Sequence, residues 1–291
     1  MDELCLKAYA KVNLSLRILG KRADGYHELY SVMQQIGLYD EVVLKRRESG
    51  IFLQVESDGA PGSGHNTVPV DERNIAWKAA SRFFEERSLS GGVEILLKKQ
   101  IPAAAGLAGG STDAAAVLKG LAKLYESGDS EASLCKTGVS LGADVPFCIR
   151  GGTMLAEGIG EKLSPLPSPK ALSILLIKPP VDVPTGEVYK AFDALKPQEP
   201  AVDMAAILKG TEHRPLTDAL YNDLAFVTEA KHPQIKTLRA ELCEAGAEGA
   251  LMSGSGPTVF ALYTEEKTAE KALEKMKKIH PDCFCGLYGL V

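Results

Sequence analysis

Residues 102–116 read PAAAGLAGGSTDAAA, three glycines and a run of alanines around one Ser-Thr-Asp step. Glycine admits positive φ and lets the main chain approach a ligand closely, and alanine propagates helix well. The stretch is therefore expected to form a loop of bare backbone N–H groups opening into a helix N-terminus. Such a terminus carries roughly half a positive charge and several unpaired donors, which suits a phosphate group. Spacing excludes the better-known phosphate loops. A P-loop needs Gly-Lys-Ser/Thr, and here Gly110 is followed directly by Ser111. A dinucleotide fingerprint needs GxGxxG with an acidic residue about 20 positions on, whereas Gly106, Gly109 and Gly110 give GxxGG. A protein-kinase glycine loop lies between two strands and is followed by HRD and DFG triplets, neither of which this chain contains. The plain alternative is a tight packing loop with no ligand.

The elements that must hold this loop are legible on both sides of it. GGVEILLKKQIP alternates Val93, Ile95 and Leu97 and runs as a strand straight into it. The helix beyond is expected to take Ser111 as N-cap and to bury Ala114, Ala115, Leu118, Leu121, Ala122 and Tyr125 on one face. Residues 4–19 predict an opening strand, broken by the DG turn of RADGYHEL at 22–29. YDEVVLKR and GIFLQVES are expected to pair as strands, with GAPGSGHN at 59–66 a loop. Asn74 caps a helix whose stripe is Ile75, Ala79, Ala80, Phe83 and Phe84, and a short helix is expected around 131–141. LGADVPFCIRGG is expected to be irregular because of Pro146 and its paired glycines. The segment TMLAEGIGEKLSPLPSPKA, with prolines at 165, 167 and 169, is the candidate boundary between two lobes. Beyond it the pattern predicts a buried strand ALSILLIKPP and helices near 185–195 and 217–245. The glycine turn SGSGPT at 253–258, a strand VFALYT and a charged helix at 265–279 follow. The class is α/β or α+β in two lobes.

The totals limit the partners. A net charge of −5 over 291 residues leaves no global basic field to recruit nucleic acid or an anionic membrane. Any anion must be bound by local design. The start, MDELCLKAYAKVNLSLRI, is acidic where a secretory signal would be basic, and the longest apolar run is ALSILLI at 171–177. A soluble, cytoplasmic protein is expected. Six cysteines, at 5, 135, 148, 243, 283 and 285, show no CxxC and no metal-type spacing, so they are read as reduced thiols and no protein metal site is assigned.

PAAAGLAGGSTDAAA closely resembles the PxxxGLxxSS motif of the GHMP kinases, the group that includes galactokinase, homoserine kinase and mevalonate kinase. Two further segments match that family in order, KAYAKVNLSLRILGKRADGYHEL at 7–29 and MSGSGPTVFAL at 252–262. The resemblance implies an α+β, two-lobed GHMP kinase fold. Its N-terminal lobe, 1–160, would be ribosomal-protein-S5-like and bind ATP, and its C-terminal lobe, 161–291, ferredoxin-like. It also implies phosphorylation of a small alcohol with ATP and Mg²⁺. AKVNLSL, RADGYHEL, LGADVPF and AEGIGE resemble the branch whose substrate is a cytidine diphosphate alcohol. Two alternatives stay open: a homoserine- or mevalonate-type alcohol, and a nucleotide sensor without turnover. The resemblance does not choose between monomer and homodimer.

The site residues follow from that resemblance. Pro102, Ala103, Ala104, Ala105, Gly106, Leu107, Ala108, Gly109, Gly110, Ser111 and Thr112 would cradle the triphosphate, with the Ser111 and Thr112 hydroxyls on phosphate or metal. Lys99 and Ile75 would lie near adenine. Asp144, between glycine and proline in GADVPF, would take the proton of the alcohol, and the Lys11 ammonium would favour its ionised form. Taken alone, Lys11 reads as a surface charge on a strand and Asp144 as a turn residue. Tyr26 would stack on cytosine, His27 read its edge and Tyr189 oppose it, with Thr185 and Asn13 completing the substrate side. Several relatives carry glycines where this chain has Ala104, Ala105 and Ala108, so strain is expected if those positions need positive φ.

Overall fold

The opening run alternates as a strand must. Strand β1 (Glu3–Lys21) sends Ala10, Val12 and Leu14 into a core on one side and turns Lys11 and Asn13 to a cleft on the other. It pairs antiparallel with β2 (His27–Arg47), and register shifts interrupt the pairing at Tyr9/Lys11, Asn13/Ser15 and Ile18/Gly20. Bulges re-aim side chains. Past the second of them, Leu16 and Ile18 join a different core from Val12 and Leu14. The structure is a computed structural model and describes residues 2–57, 59, 61, 68–170, 172–195 and 200–291. The loop expected at 59–66 lies mostly outside the described residues.

Around β1 and β2 a seven-stranded sheet assembles in the order β3-β4-β2-β1-β8, with β5 and β6 branching from β2. Here β3 is Gly50–Ser57, β4 Gly92–Lys99, β5 Thr153–Gly158, β6 Lys162–Pro165 and β8 Tyr221–Asn222. The expected pairing of YDEVVLKR with GIFLQVES is corrected: β4 lies between them, antiparallel to β2 and parallel to β3. The turn joining β2 to β3 passes over the end of β4 at Gly92, where a Cβ would stand 2.2 Å from the Ser49 carbonyl carbon. With Val93, Ile95 and Leu97 fully buried, β4 belongs in the sheet interior and the half-exposed β3 at its edge.

Helices α1 (Ile75–Arg87), α2 (Gly109–Leu124), α3 (Glu131–Val139) and α4 (Val145–Arg150) accompany this sheet. Asn74 caps α1, its Oδ1 accepting from the Ala76 N–H at 2.9 Å. Ala76, Ala79, Ala80 and Phe83 of α1 share a core with Ala114, Ala115, Leu118 and Leu121 of α2. LGADVPFCIRGG, expected to be irregular, contains α4 instead. Pro146 sits in its first turn, where a missing N–H costs nothing, and Gly151 at φ 74 ends it.

The second lobe is a four-stranded antiparallel sheet in the order β11-β7-β10-β9, the ferredoxin-like arrangement. Its strands are β7 (Ser173–Lys178), β9 (Gly249–Met252), β10 (Val259–Tyr263) and β11 (Phe284–Gly289). Helices α5 (Thr185–Phe192), α6 (Met204–Leu208), α7 (Asp223–Lys231), α8 (Pro233–Glu244) and α9 (Glu266–Ile279) complete the lobe. The single helix expected over 217–245 is divided. A 3₁₀ turn at Leu216–Ala219 and β8 come first, Asn222 caps α7 through a 2.9 Å bond from the Leu224 N–H, and Pro233 opens α8.

The β5–β6 hairpin straddles the expected division at 160/161, and the chain changes sheets between Pro165 and Ser173. Strand β7 is buried on both faces, which is why it reads as one apolar run. Leu175 and Ile177 enter the helix-side core of the second lobe. Ile174 and Leu176, with Phe260 and Leu262, share a third core with Val12, Leu14, Val32 and Ile36. The two sheets thus pack against each other through a common apolar layer. Each such buried aliphatic side chain contributes about 1.5–3 kcal/mol.

Candidate active site

Strand β4 delivers the chain through the buried Ile101 into the small-residue loop. Ala104 and Ala108 take φ of 49° and 61°, while Ala105 is not among the left-handed residues. The strain expected for alanine is therefore present at two of the three positions, at roughly 1–2 kcal/mol each. Ala108, not Ser111, is the N-cap of α2, and no side chain caps the first turn. Ser111 is already the third helical residue and lines the cleft rather than capping the helix. The uncapped N–H groups of that turn are left for an anion. Two loop residues point elsewhere. The Thr112 hydroxyl donates to the Tyr9 carbonyl at 2.7 Å and is not free for phosphate or metal. The Leu107 side chain lies in the core between the sheets, and its carbonyl accepts from the Lys11 N–H at 3.1 Å.

The second glycine turn clamps the first. Ser253 Oγ donates to the Gly106 carbonyl at 2.9 Å, and Asn222 Nδ2 donates to the carbonyls of Met252 and Gly254 at 2.7 and 2.8 Å. A Cβ on Gly106 would stand 2.2 Å from the Ser253 carbonyl oxygen. Positive φ alone does not demand glycine here, since Ala104 and Ala108 also adopt it; the close approach of the other turn does. Gly106→Ala is accordingly expected to raise KM for ATP at least tenfold and to lower Tm. Wild-type values of both would remove the clamp from the argument.

Lys99 is buried at 4% exposure between two carboxylates, Asp40 at 0% and Asp113 at 3%. Its Nζ bonds Asp40 Oδ2 and lies 2.6 Å from Asp113 Oδ2. Asp40 Oδ1 accepts from the N–H groups of Gln100 and Ile101, which fixes the entry to the loop. Burial pushes the Asp113 carboxyl up to about 7, against the pull of Lys99. The Lys99 ammonium is thus engaged by two buried carboxylates at the end of β4. Lys99, Asp113 and Ile75 all line the loop's cleft.

That cleft, of about 550 Å³, is lined by residues 102–106 and 108–111 and also by Lys11, Asn13 and Asp144. Lys11 Nζ lies 3.4 Å from Asp144 Oδ2, with side-chain exposures of 5% and 31%. Asn13 orients the ammonium, accepting from Lys11 Nζ at 2.7 Å while its Nδ2 donates to Ser31 Oγ at 2.8 Å. Both ends of the Asn13 amide are therefore engaged within the protein. Asp144 occupies the N-cap position of α4 without making a capping bond, which leaves its carboxylate to the cleft.

A second cavity, of about 610 Å³, adjoins the first and shares Ser111, Asp144, Thr185 and Tyr189 with it. Its far side holds Tyr26, His27 and Ile159. The His27 and Tyr189 rings lie 5.0 Å apart and tilted by 32°, whereas Tyr26 is 59% exposed on its turn. Burial raises the Tyr189 phenol well above its ordinary value, so it stays neutral. Thr185 and Ser255 share a 2.9 Å hydroxyl–hydroxyl bond that ties α5 to the second glycine turn.

The structure thus gathers every residue singled out in the sequence, apart from Thr112 and Leu107, around two adjoining cavities. It adds some that sequence reasoning missed. Asp113 was signalled by being an acid inside a stripe of buried alanines, and Asp40 by its place on an alternating strand. Arg73 at the cleft, and Lys21 and Asp193 at the second cavity, carried no such signal.

A bare loop and an uncapped helix N-terminus facing an ammonium–carboxylate pair across one cleft suit a phosphotransferase that acts on a small acceptor. The GHMP kinases N terminal domain matches residues 74–152 and the GHMP kinases C terminal domain residues 204–282. The chain belongs to the GHMP kinases, which are ATP-dependent kinases. It is 44% identical to the 4-diphosphocytidyl-2-C-methyl-D-erythritol kinase of Acetivibrio thermocellus over 98% of each chain. It is 46% identical to the enzyme of the same name from Clostridium beijerinckii, over 96% of this chain and 98% of that one. The crystal structure of a 4-(cytidine 5'-diphospho)-2C-methyl-D-erythritol kinase, 34% identical, matches 98% of this chain and 99% of its own with a TM-score of 0.77. Homoserine kinase from Cytophaga hutchinsonii, 20% identical with a TM-score of 0.76, shares the fold.

Proposed function

We propose that this chain is an ATP-dependent kinase that phosphorylates the 2-hydroxyl of 4-diphosphocytidyl-2-C-methyl-D-erythritol, giving the 2-phosphate and ADP, in non-mevalonate isoprenoid precursor biosynthesis. The observation that carries it is the position of Asp144, which lies where the loop-lined cleft meets the second cavity and is paired with Lys11. Names shared with relatives of more than 40% identity over nearly the whole chain support the substrate.

The chemistry follows from that junction. The alcohol oxygen attacks the terminal phosphorus of ATP, a new P–O bond forms, and the bond to the bridging oxygen of ADP breaks. Asp144 receives the hydroxyl proton, and the Lys11 ammonium beside it offsets charge developing on the attacking oxygen. The uncapped first turn of α2 and the loop amides draw the triphosphate into place. Ser111, which lines both cavities, would hold Mg²⁺ together with the phosphate oxygens, whereas the Thr112 hydroxyl is turned to the Tyr9 carbonyl. When bound, Mg²⁺ supplies charge neutralisation on the transferring group.

In the second cavity Tyr26 and Tyr189 offer ring faces to cytosine and His27 a polar edge. Purified protein given ATP and each candidate alcohol is expected to phosphorylate only the cytidine diphosphate alcohol. Phosphorylation of homoserine or mevalonate alone would overturn the substrate, and tight ATP binding without transfer to any alcohol would favour a sensor. Tyr26→Ala is expected to raise KM for the cytidine substrate at least tenfold, about the worth of one stacking contact, while KM for ATP moves less than threefold. Equal changes in both would exclude Tyr26 from the acceptor side.

A further inference from the structure

His27, the first residue of β2, is held across the lobes by Asp193, the residue that closes α5. His27 Nε2 lies 2.7 Å from Asp193 Oδ1, and Lys21 at the end of β1 bonds Asp193 Oδ2. All three side chains line the second cavity, and Tyr189 backs the imidazole. The bonds from Lys21 and His27 keep the Asp193 carboxyl below its ordinary range, so it stays an acceptor only. An acceptor at Nε2 fixes the proton on that nitrogen of a neutral imidazole and leaves Nδ1 as a lone pair. No described residue partners Nδ1.

A lone pair is not indifferent to the pyrimidine it meets. Cytosine carries an amino donor at C4, where uracil carries a carbonyl oxygen. We propose that Asp193 is a positioning residue which, by holding the proton on His27 Nε2, makes the second cavity prefer cytosine to uracil. This inference rests on the cytidine reading of that cavity.

Asn at position 193 separates the tautomer from mere packing. Lys21 can accept nothing, so it draws the amide oxygen to itself and turns the amide nitrogen toward His27. That nitrogen donates to Nε2, moves the imidazole proton to Nδ1 and inverts the preference.

Cytidine 5'-diphosphate and uridine 5'-diphosphate, titrated calorimetrically into the full chain, read this directly. The wild type is expected to bind the cytidine nucleotide about tenfold more tightly, the worth of one matched against one opposed hydrogen bond. Asp193→Asn should reverse the ratio in favour of the uridine nucleotide, with ATP affinity unchanged as a sign that the fold is intact. Nitrogen-15 shifts of His27 should report the proton on Nε2 in the wild type and on Nδ1 in the variant. Lys21→Met, which leaves the Asp193–His27 bond in place, should keep the wild-type ratio. A variant Asp193→Asn that keeps both ratio and tautomer overturns the role of Asp193 while leaving the cytidine reading intact. A wild type that binds the two nucleotides alike overturns both.

Discussion

Asp144→Asn is expected to lower kcat by roughly 10²–10⁴-fold, the usual worth of a positioned proton acceptor, while KM for ATP moves less than threefold. The carboxylate sits at the meeting of the two cavities, 3.4 Å from the Lys11 ammonium. The amide is of the same size but cannot take a proton. The loop proposed to hold ATP, residues 102–111, is anchored through Lys11 N–H, Ser253 and Asp40 rather than through Asp144. Loss therefore falls on turnover rather than on nucleotide binding. Steady-state kinetics decide it: a variant within tenfold of the wild-type kcat would take the proton-accepting role away from Asp144.

Lys99→Met is expected to cost about 3–5 kcal/mol of stability at pH 8, because it leaves Asp40 and Asp113 buried beside each other with no cation. The pH dependence follows from the sign of the shift. Burial already raises the Asp113 carboxyl from 3.8 to about 7, so the folded chain binds a proton there that the unfolded chain releases. Stability from this group is full below the unfolded value and is lost as pH rises through about 4 to 7. Without Lys99 the loss deepens, so the variant should recover part of its deficit at pH 5. Urea unfolding at pH 5 and pH 8 measures both. A deficit under 1 kcal/mol, or one that is the same at both pH values, would show that the cation does not hold this cluster.

The small-residue loop at 102–111 was legible because its character lies in what is missing. Glycine and alanine announce a chain that needs close approach, and the strand before it and the helix after it follow from periodicity. Lys11 and Asp144 were legible only through the resemblance, since nothing local distinguishes them from a strand lysine and a turn aspartate. What stayed hidden depends on contacts between distant segments. Which strand lies beside β2 is decided by the passage of residue 49 over Gly92, a contact that no local pattern contains. The reason for Gly106 sits 147 residues away at Ser253. Local signals were also misread. LGADVPFCIRGG reads as irregular because of Pro146, and 217–245 reads as helix straight across Pro233, although each proline opens a helix in whose first turn it is admitted.

Strand β8 belongs by sequence to the second half yet adds to the first sheet, with Ser15 opposite Tyr221 and Leu16 opposite Asn222. Next to it Asp223 accepts from the Ile18 N–H at 2.6 Å, and Asn222 anchors the turn that clamps Gly106. Main-chain pairing and a shared apolar layer therefore stitch the halves together, and a wide jaw-like rotation would have to tear both. Ligand traffic is left to the rim, through turns and side chains, so the catalytic geometry is preset rather than assembled at each cycle.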